Sequence, residues 1–509
     1  MDDKKVPSAT SGSAYSTDGA VIVDDGYGEY LRLNEVYTGD RLKKLLRKVD
    51  LHVIPQLVLI YLLAYIDRAN AGNAKLFGAL TDMHMSGQDW NTAICVFFAT
   101  YALGCVPSNI ALKKFGPRFW LPSLLTACGI MTICTGLQST MGGFTAFRLL
   151  LGIVEAGIYP GCSFILTNWY TSKELQTRMS VFYSAASLAG AFSGLLAYAI
   201  GHLDYTWGYR GWRFIYVIEG LIAVVVGLCG FLFVNQTPAG VKWLTAEEKQ
   251  YLILRRQFAA GDGGKTGTVA QADAFSWHYA KQASRSIHVY AVAATEFTVA
   301  VVVYGISYVL PTIIAGLGYS AVKAQAMTAP PYVFACIFVW VSGLLADRFK
   351  ARALSVIIPN AIAAIGFVII IASVRYDNVP GVTYFGLFLM AAGLYAVSPA
   401  VMAWTALNMA GSMKRAVGMA LMLSISQLGG IMGSNIFLAD EAPTYPTGFG
   451  ICLTMLVLFG VIWPTIYYFI LRRINQKRDG ISEEEVMAKY SEEELAEMGD
   501  ESPLFRYAL

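Results

Sequence analysis

Residues 57–73 read LVLIYLLAYIDRANAGN, an apolar run that meets two adjacent charges, Asp67 and Arg68. If the pair ended the hydrophobic segment, it would extend only from Leu51 to Ile66. That is about 16 residues where a membrane-crossing helix needs about 20. The helix must either stop short or carry both charges into the membrane. The second reading decides the fold, because it makes this the first span of a membrane protein with ionised groups inside it.

Composition points the same way. The 509 residues are 56% hydrophobic and 14% charged, with 48 glycines, far from the balance of a soluble domain. A net charge of +3 is too small and dispersed to argue for a nucleic-acid partner. The 8 cysteines include no CxxC and no cluster with histidine, and most, such as Cys95, Cys128 and Cys229, sit inside apolar runs. They read as buried thiols, with no metal or other cofactor. No nucleophile–base constellation marks an enzyme. Residues 1–34 lack the apolar core of a signal peptide and read as a disordered tail.

Scanning for apolar runs of about 20 residues predicts an all-α membrane protein of twelve transmembrane helices in two six-helix bundles. The spans fall near 51–73, 90–112, 118–138, 142–168, 178–201 and 211–234, then near 287–315, 325–346, 353–373, 382–405, 416–437 and 447–471. The domains are thus a tail (1–50), a first bundle (51–234), a central loop (235–286), a second bundle (287–471) and a closing tail (472–509). Within the central loop TAEEKQYLILRRQ (245–257) reads as an amphipathic surface helix and AAGDGGKTGT (259–268) as linker. Its GGKT lacks the first glycine of a phosphate loop, Ala259 standing there, so no ATP-driven step is implied.

Basic residues set the orientation, because Lys and Arg of short loops stay on the cytoplasmic side. Arg41, Lys43, Lys44, Arg47 and Lys48 precede the first span, and Arg472, Arg473, Lys477 and Arg478 follow the last. Lys113, Lys114 and Arg118, Lys173 and Arg178, Arg348, Lys350 and Arg352, and Lys414 and Arg415 fall in alternate loops. Both termini and the central loop are expected in the cytosol, which leaves the sequon at Asn235 on the wrong side for glycosylation. Glycine pairs four apart (Gly157 and Gly161, Gly190 and Gly194, Gly429 and Gly433) permit close helix approach. Rocking bundles can use that approach, and static packing explains it equally.

Ionisable groups inside spans are costly and usually face a wet cavity. Those picked out are Asp67 and Arg68 in span 1, Glu155 in span 4, Glu219 in span 6 and Glu296 in span 7. At ~1.5 Å per residue, Asp67 lies ~24 Å along from Leu51, and Glu155 ~15 Å from Thr145 on a helix running the other way, so the two approach one level. A carboxyl among apolar neighbours, such as Glu155, can carry a proton, because burial disfavours its ion. Arg68 stays charged and its planar fork suits a substrate carboxylate. Asp67 is expected to neutralise Arg68 in the empty site, or to face another helix.

Two basic turns suggest that the halves are related: NIALKKFGPRFW (109–120) after span 2 and GLLADRFKARA (343–353) after span 8. The latter resembles the G-x-x-x-D-R-x-G-R-[KR] loop of the major facilitator superfamily, with Gly343, Asp347, Arg348 and Arg352 at matching places, which implies a gating loop. The span 2–3 copy lacks the Asp. YIDRANAGNAKLFG (65–78), RLLLGIVEAGIYPG (148–161), GWRFIYVIEGL (211–221), LPTIIAGLGYS (310–320) and FRYAL (505–509) resemble the anion:cation symporter family within that superfamily. Its fungal members include allantoate, nicotinate, pantothenate and biotin carriers. The resemblance implies proton coupling at Asp67 and Glu155 and anion binding at Arg68. Span 5 lacks the G-P-x-x-G-G segment of drug antiporters, and no P-E-S-P-R sequence of hexose carriers follows span 6.

In the second half, Tyr304 and Tyr308, Trp404 and Asn408, and Gln427 and Asn435 are further candidates for substrate contact, with interhelical bonding or interfacial anchoring the plainer account of each. Glu219 lies in a shared stretch without an assigned step, and Glu296 has no family match. The expected protein is a monomeric plasma-membrane carrier importing a small organic carboxylate with protons by alternating access. Glu155 would take the proton, the substrate would pair with Arg68, and Asp67 would reclaim Arg68 on release. An exporter of a metabolite or toxin, or a nutrient-sensing receptor on the same fold, is the alternative.

Overall fold

The computed structural model describes residues 25–509 apart from 172–173, 202–207, 235–236, 259–276, 320, 375, 377–378, 439–440, 442–443, 492–493 and 496–497. Residues 1–24 of the N-terminal tail, Lys173, Asn235 and the GGKT stretch therefore lie outside the described residues, as does the side chain of Tyr308; the rest of the stretch expected to be disordered is instead helical, Asp25–Val36, with Leu33 buried. The described chain is all-helical, and twelve of its helices are long and apolar enough to cross a membrane. An even number of crossings puts both ends on one face, called here the terminal face.

Span 1 answers the question posed by its sequence. It is one helix from Gly39 to Leu76 and passes through Asp67 and Arg68 without a break. It also starts well before the expected Leu51: Gly39, at φ +52°, opens it, and Asp40 in the first turn favours the positive helix end. Hydropathy misses this part because the basic Arg41–Lys48 stretch is helical without being apolar. Span 4 is split instead, into Met141–Glu155 and Ile158–Trp169, so Glu155 sits at the break. Gly157 in that break lies so close to Ser108 of span 2 that any side chain there would collide.

In the first half, spans 3 (Pro117–Gly136) and 6 (Gly211–Phe233) pack together, as do spans 2 (Gly87–Phe115) and 4, and spans 1 and 5 (Leu175–Gly201). In the second, span 7 (Ile287–Gly316) packs on span 11 (Ser412–Gly433), and span 10 (Pro380–Leu407) on spans 8 (Ala321–Phe349) and 9 (Leu354–Ser373). The halves meet through spans 5 and 8 and spans 2 and 11. Span 12 (Pro446–Asp479) is peripheral and mostly unburied. Spans 6, 8 and 12 expose Leu228, Leu232, Leu344, Ile466 and Phe469, an apolar surface of the kind a bilayer covers. Gly429 and Gly433 serve contact within the second half: a Cβ on Gly429 would come 2.5 Å from the Phe297 carbonyl of span 7.

The terminal face is tied down by two accessory segments. Helix Ala246–Phe258 of the central loop lies across the first half, where Glu248 pairs with Lys48 at 2.8 Å and Arg255 with Glu174 at 2.7 Å. Tyr251 stacks on Tyr37 with centroids 4.6 Å apart. On the second half, the last residues lie in a groove between spans 10 and 12. Asn475 and Tyr507 exchange hydrogen bonds of 2.8 and 2.9 Å, and Lys414 and Asp500 form a buried ion pair at 2.6 Å.

Candidate functional site

A cavity lies between the two halves, lined from the first by Tyr61, Tyr65, Arg68, Tyr101, Tyr159 and Tyr183 and from the second by Glu296, Tyr304, Ser398, Ser426 and Gln427, among others. Tyr61, Tyr65 and Arg68 recur at i, i+4 and i+7, so one face of span 1 supplies all three. The space open to the centre of a water-sized sphere is about 20 Å³, room for a water or two and too little for an organic substrate. The halves are thus closed around the cavity.

Arg68 is its central cation. Its Nε donates to Oε1 of Glu155 at 2.7 Å, and its Nη2 lies 2.5 Å from the same oxygen. Its Nη1 donates to the Tyr304 hydroxyl, which donates in turn to Oε1 of Gln427 at 3.1 Å. The guanidinium also faces the rings of Tyr101, at 4.7 Å from the centroid, and of Tyr65 and Phe97, at 5.4 Å, geometry that stabilises a desolvated cation. Arg68 is therefore held from both halves at once, by Glu155 of span 4 and Tyr304 of span 7.

Of the two expectations for Asp67, it faces another helix and does not neutralise Arg68. Successive helical residues point about 100° apart, and Asp67 turns into the first bundle, where its Oδ2 takes a 2.8 Å ion pair from Arg148 of span 4. Arg148 Nη2 also donates to the Tyr216 hydroxyl at 2.5 Å. Arg148 was missed in the sequence although its signal was present: it precedes Glu155 by seven residues, two helical turns, and so shares its face. Glu219 joins this interior by accepting from Asn70 of span 1. Asp67, Glu155 and Glu219 line a common small void.

The other candidates divide. Tyr304 and Gln427 face the cavity. Asn435 stands beyond the end of span 11, exposed, with its Nδ2 3.2 Å from Cys95 Sγ of span 2. Trp404 and Asn408 lie away from the cavity and hold the C-terminus: Trp404 Nε1 donates to the Ala508 carbonyl at 2.8 Å, and Asn408 exchanges bonds of 2.7 and 3.2 Å with the same residue. Trp404 packs edge-on to Tyr467, 5.7 Å between centroids, an interior contact that a polar residue at a span end does not reveal.

The turn after span 8 clasps the other half. Asp347 accepts the Thr177 N–H at 2.7 Å through Oδ2 and pairs with Arg352 at 2.6 Å through Oδ1. Thr177 is in the first turn of span 5, so the carboxylate caps a helix of the opposite half. Arg352 also donates to Gln176 at 2.8 Å. A Cβ on Gly343 would lie 2.5 Å from Ser180 Oγ, so glycine is required for spans 5 and 8 to meet. Arg348 is exposed and faces the Phe349 ring. Lys350, where the loop pattern has its second glycine, is left-handed at φ +53°. The Arg352 N–H donates to the Leu509 carbonyl at 2.7 Å, which joins this clasp to the C-terminus.

Two helical halves enclosing a buried, charged cavity define a membrane carrier for small molecules. The family model of the Major Facilitator Superfamily matches residues 57–434, and the chain belongs to that superfamily. It is 44% identical to the MFS-type transporter cnsO of Penicillium expansum, over 95% of this chain and 94% of that one. It is 29% identical to the high-affinity nicotinic acid transporter of Saccharomyces cerevisiae, over 86% and 80%. Among solved structures it is similar to the proton:xylose symporter XylE, with TM-score 0.59 and 17% identity over 82% of this chain and 95% of that one. The likeness to XylE is one of fold.

Proposed function

We propose that this protein is a proton-coupled carrier of the anion:cation symporter type that imports a small organic carboxylate across the plasma membrane, with both termini in the cytosol. The observation that carries the reading is the Arg68–Glu155 pair in the cavity wall. A substrate carboxylate needs the fork that Glu155 occupies, and Glu155 yields it when it takes a proton. Proton and substrate then enter together, and loss of the proton to the cytosol restores the pair and expels the anion. Nicotinate transport by the yeast relative fits an anion of this class.

Asp67 and Arg148 take a different part from the one adjacency suggested. Their pair fixes span 1 to span 4 inside the first bundle, so a proton on Asp67 loosens the two helices that carry Arg68 and Glu155. The clasp at Asp347 closes the cytosolic side. Uptake of labelled nicotinate, pantothenate, allantoate and biotin by cells lacking their own carriers, at about pH 5 and pH 7, tests the reading. One acid is expected to accumulate faster at the lower pH, and Arg68→Ala is expected to abolish it at equal surface expression. Unchanged accumulation by Arg68→Ala overturns the proposal.

A further inference from the structure

The cavity holds a second ionisable group of opposite sign that carboxylate recognition does not use. Glu296 of span 7 is 5% exposed and lines the cavity together with Arg68. Its Oε1 accepts from Ser398 of span 10, whose hydroxyl lies 3.3 Å from that of Tyr159. Its Oε2 is buried without a hydrogen-bond partner. A buried carboxylate oxygen left so is costly, and at a cavity wall it is an acceptor awaiting a donor.

The surroundings say what kind of donor. Tyr159 stacks on Tyr61 with centroids 5.1 Å apart and lies 5.5 Å from Tyr183, and all three line the cavity. Rings that wall an unpartnered carboxylate off from water leave it needing a countercharge, which an organic cation supplies. Tyr304, which takes a bond from Arg68, is eight residues along span 7 from Glu296, roughly 12 Å of helix rise. The two charges thus stand at separate levels of one cavity.

We infer that the substrate carries a protonated amine as well as a carboxylate: the carboxylate meets Arg68, and the ammonium meets Glu296 within the Tyr61, Tyr159 and Tyr183 rings. The inference rests on the carboxylate reading above and narrows it, making Glu296 the residue that separates amino acids in the broad sense from plain acids.

Thermal unfolding of the purified full-length protein against matched pairs with the amine set apart from the carboxylate tests this: γ-aminobutyrate and butyrate, aminocaproate and caproate, aminomethylbenzoate and toluate. In at least one pair the amino acid is expected to stabilise the protein at a concentration roughly tenfold lower than its plain partner, a difference of about 1.4 kcal/mol. Glu296→Gln is expected to remove the preference while plain-acid binding persists, and Glu296→Asp to keep it. The retained response of Glu296→Gln to the plain acids guards against a folding defect. Stabilisation by plain acids alone, or a preference that survives Glu296→Gln, overturns the inference and leaves the carboxylate reading standing. No response to any acid, or responses that survive Arg68→Ala, overturns both.

Discussion

Arg68 of span 1 and Glu155 of span 4 share a buried ion pair whose Nε···Oε1 distance is 2.7 Å, and Glu155 stands where span 4 breaks. A helix break leaves the backbone on either side of Glu155 free to turn as the pair opens. Glu155→Gln keeps the shape and a hydrogen-bond acceptor but cannot cycle between charge states. Substrate exchange across the membrane is expected to persist in this variant, with a flat pH profile, while uphill accumulation is lost. Counterflow and accumulation measured on the same reconstituted protein check it. Retained accumulation would show that the proton enters elsewhere.

The Asp67–Arg148 pair, side chains 7% and 2% exposed, is as deeply buried as the Arg68–Glu155 pair. Removing one member of such a pair leaves an uncompensated buried charge and costs about 3–5 kcal/mol. Arg148→Met alone is therefore expected to lower the melting temperature and the yield of folded protein. Adding Asp67→Asn to it is expected to recover most of the stability and none of the transport. Fluorescence-detected size exclusion after a heating series distinguishes these outcomes.

Why some of this was readable from the sequence and some was not follows from what each signal reports. Spans are forced by the bilayer, which admits only helices with their backbone bonds closed, so apolar length located all twelve. The start of span 1 escaped because Arg41–Lys48 is helical outside the hydrocarbon. Charges inside spans are rare enough that Arg68, Glu155 and Glu296 stood out. Their partners did not, because a pairing such as Asp67 with Arg148 is decided by how helices rotate against one another. Trp404 and Asn408 share the polar-in-apolar signature of cavity residues, yet they bind the C-terminus, a contact spanning about a hundred residues of chain.

The clasp at the terminal face offers a cleaner mechanical test. Asp347→Ala removes both the cap on Thr177 and the pair with Arg352, and Gly343→Val sets a side chain against Ser180. Both are expected to hold that face open. In a background without native cysteines, a cysteine at Ser180 should react with a hydrophilic thiol reagent several-fold faster in either variant. Lys350→Gly acts oppositely: it removes a left-handed non-glycine residue, worth roughly 1 kcal/mol, and should slow that labelling.

Trp404, Asn408, Asn475 and Arg478 hold the backbone of residues 505–508, and Leu509 bonds to Arg352 within the clasp. The segment therefore couples spans 10 and 12 to the turn after span 8. Deleting residues 505–509 exposes buried polar groups on three elements, each worth about 1–3 kcal/mol when left unpaired. A lower melting temperature is expected, together with faster labelling at Ser180→Cys even though Asp347 and Gly343 are intact. Asp500→Asn, which strands the buried Lys414 ammonium, should cost stability by a comparable amount without changing that labelling, because its contacts do not reach Arg352. If the deletion leaves labelling unchanged, the C-terminus stabilises the second half alone and does not set the position of the clasp.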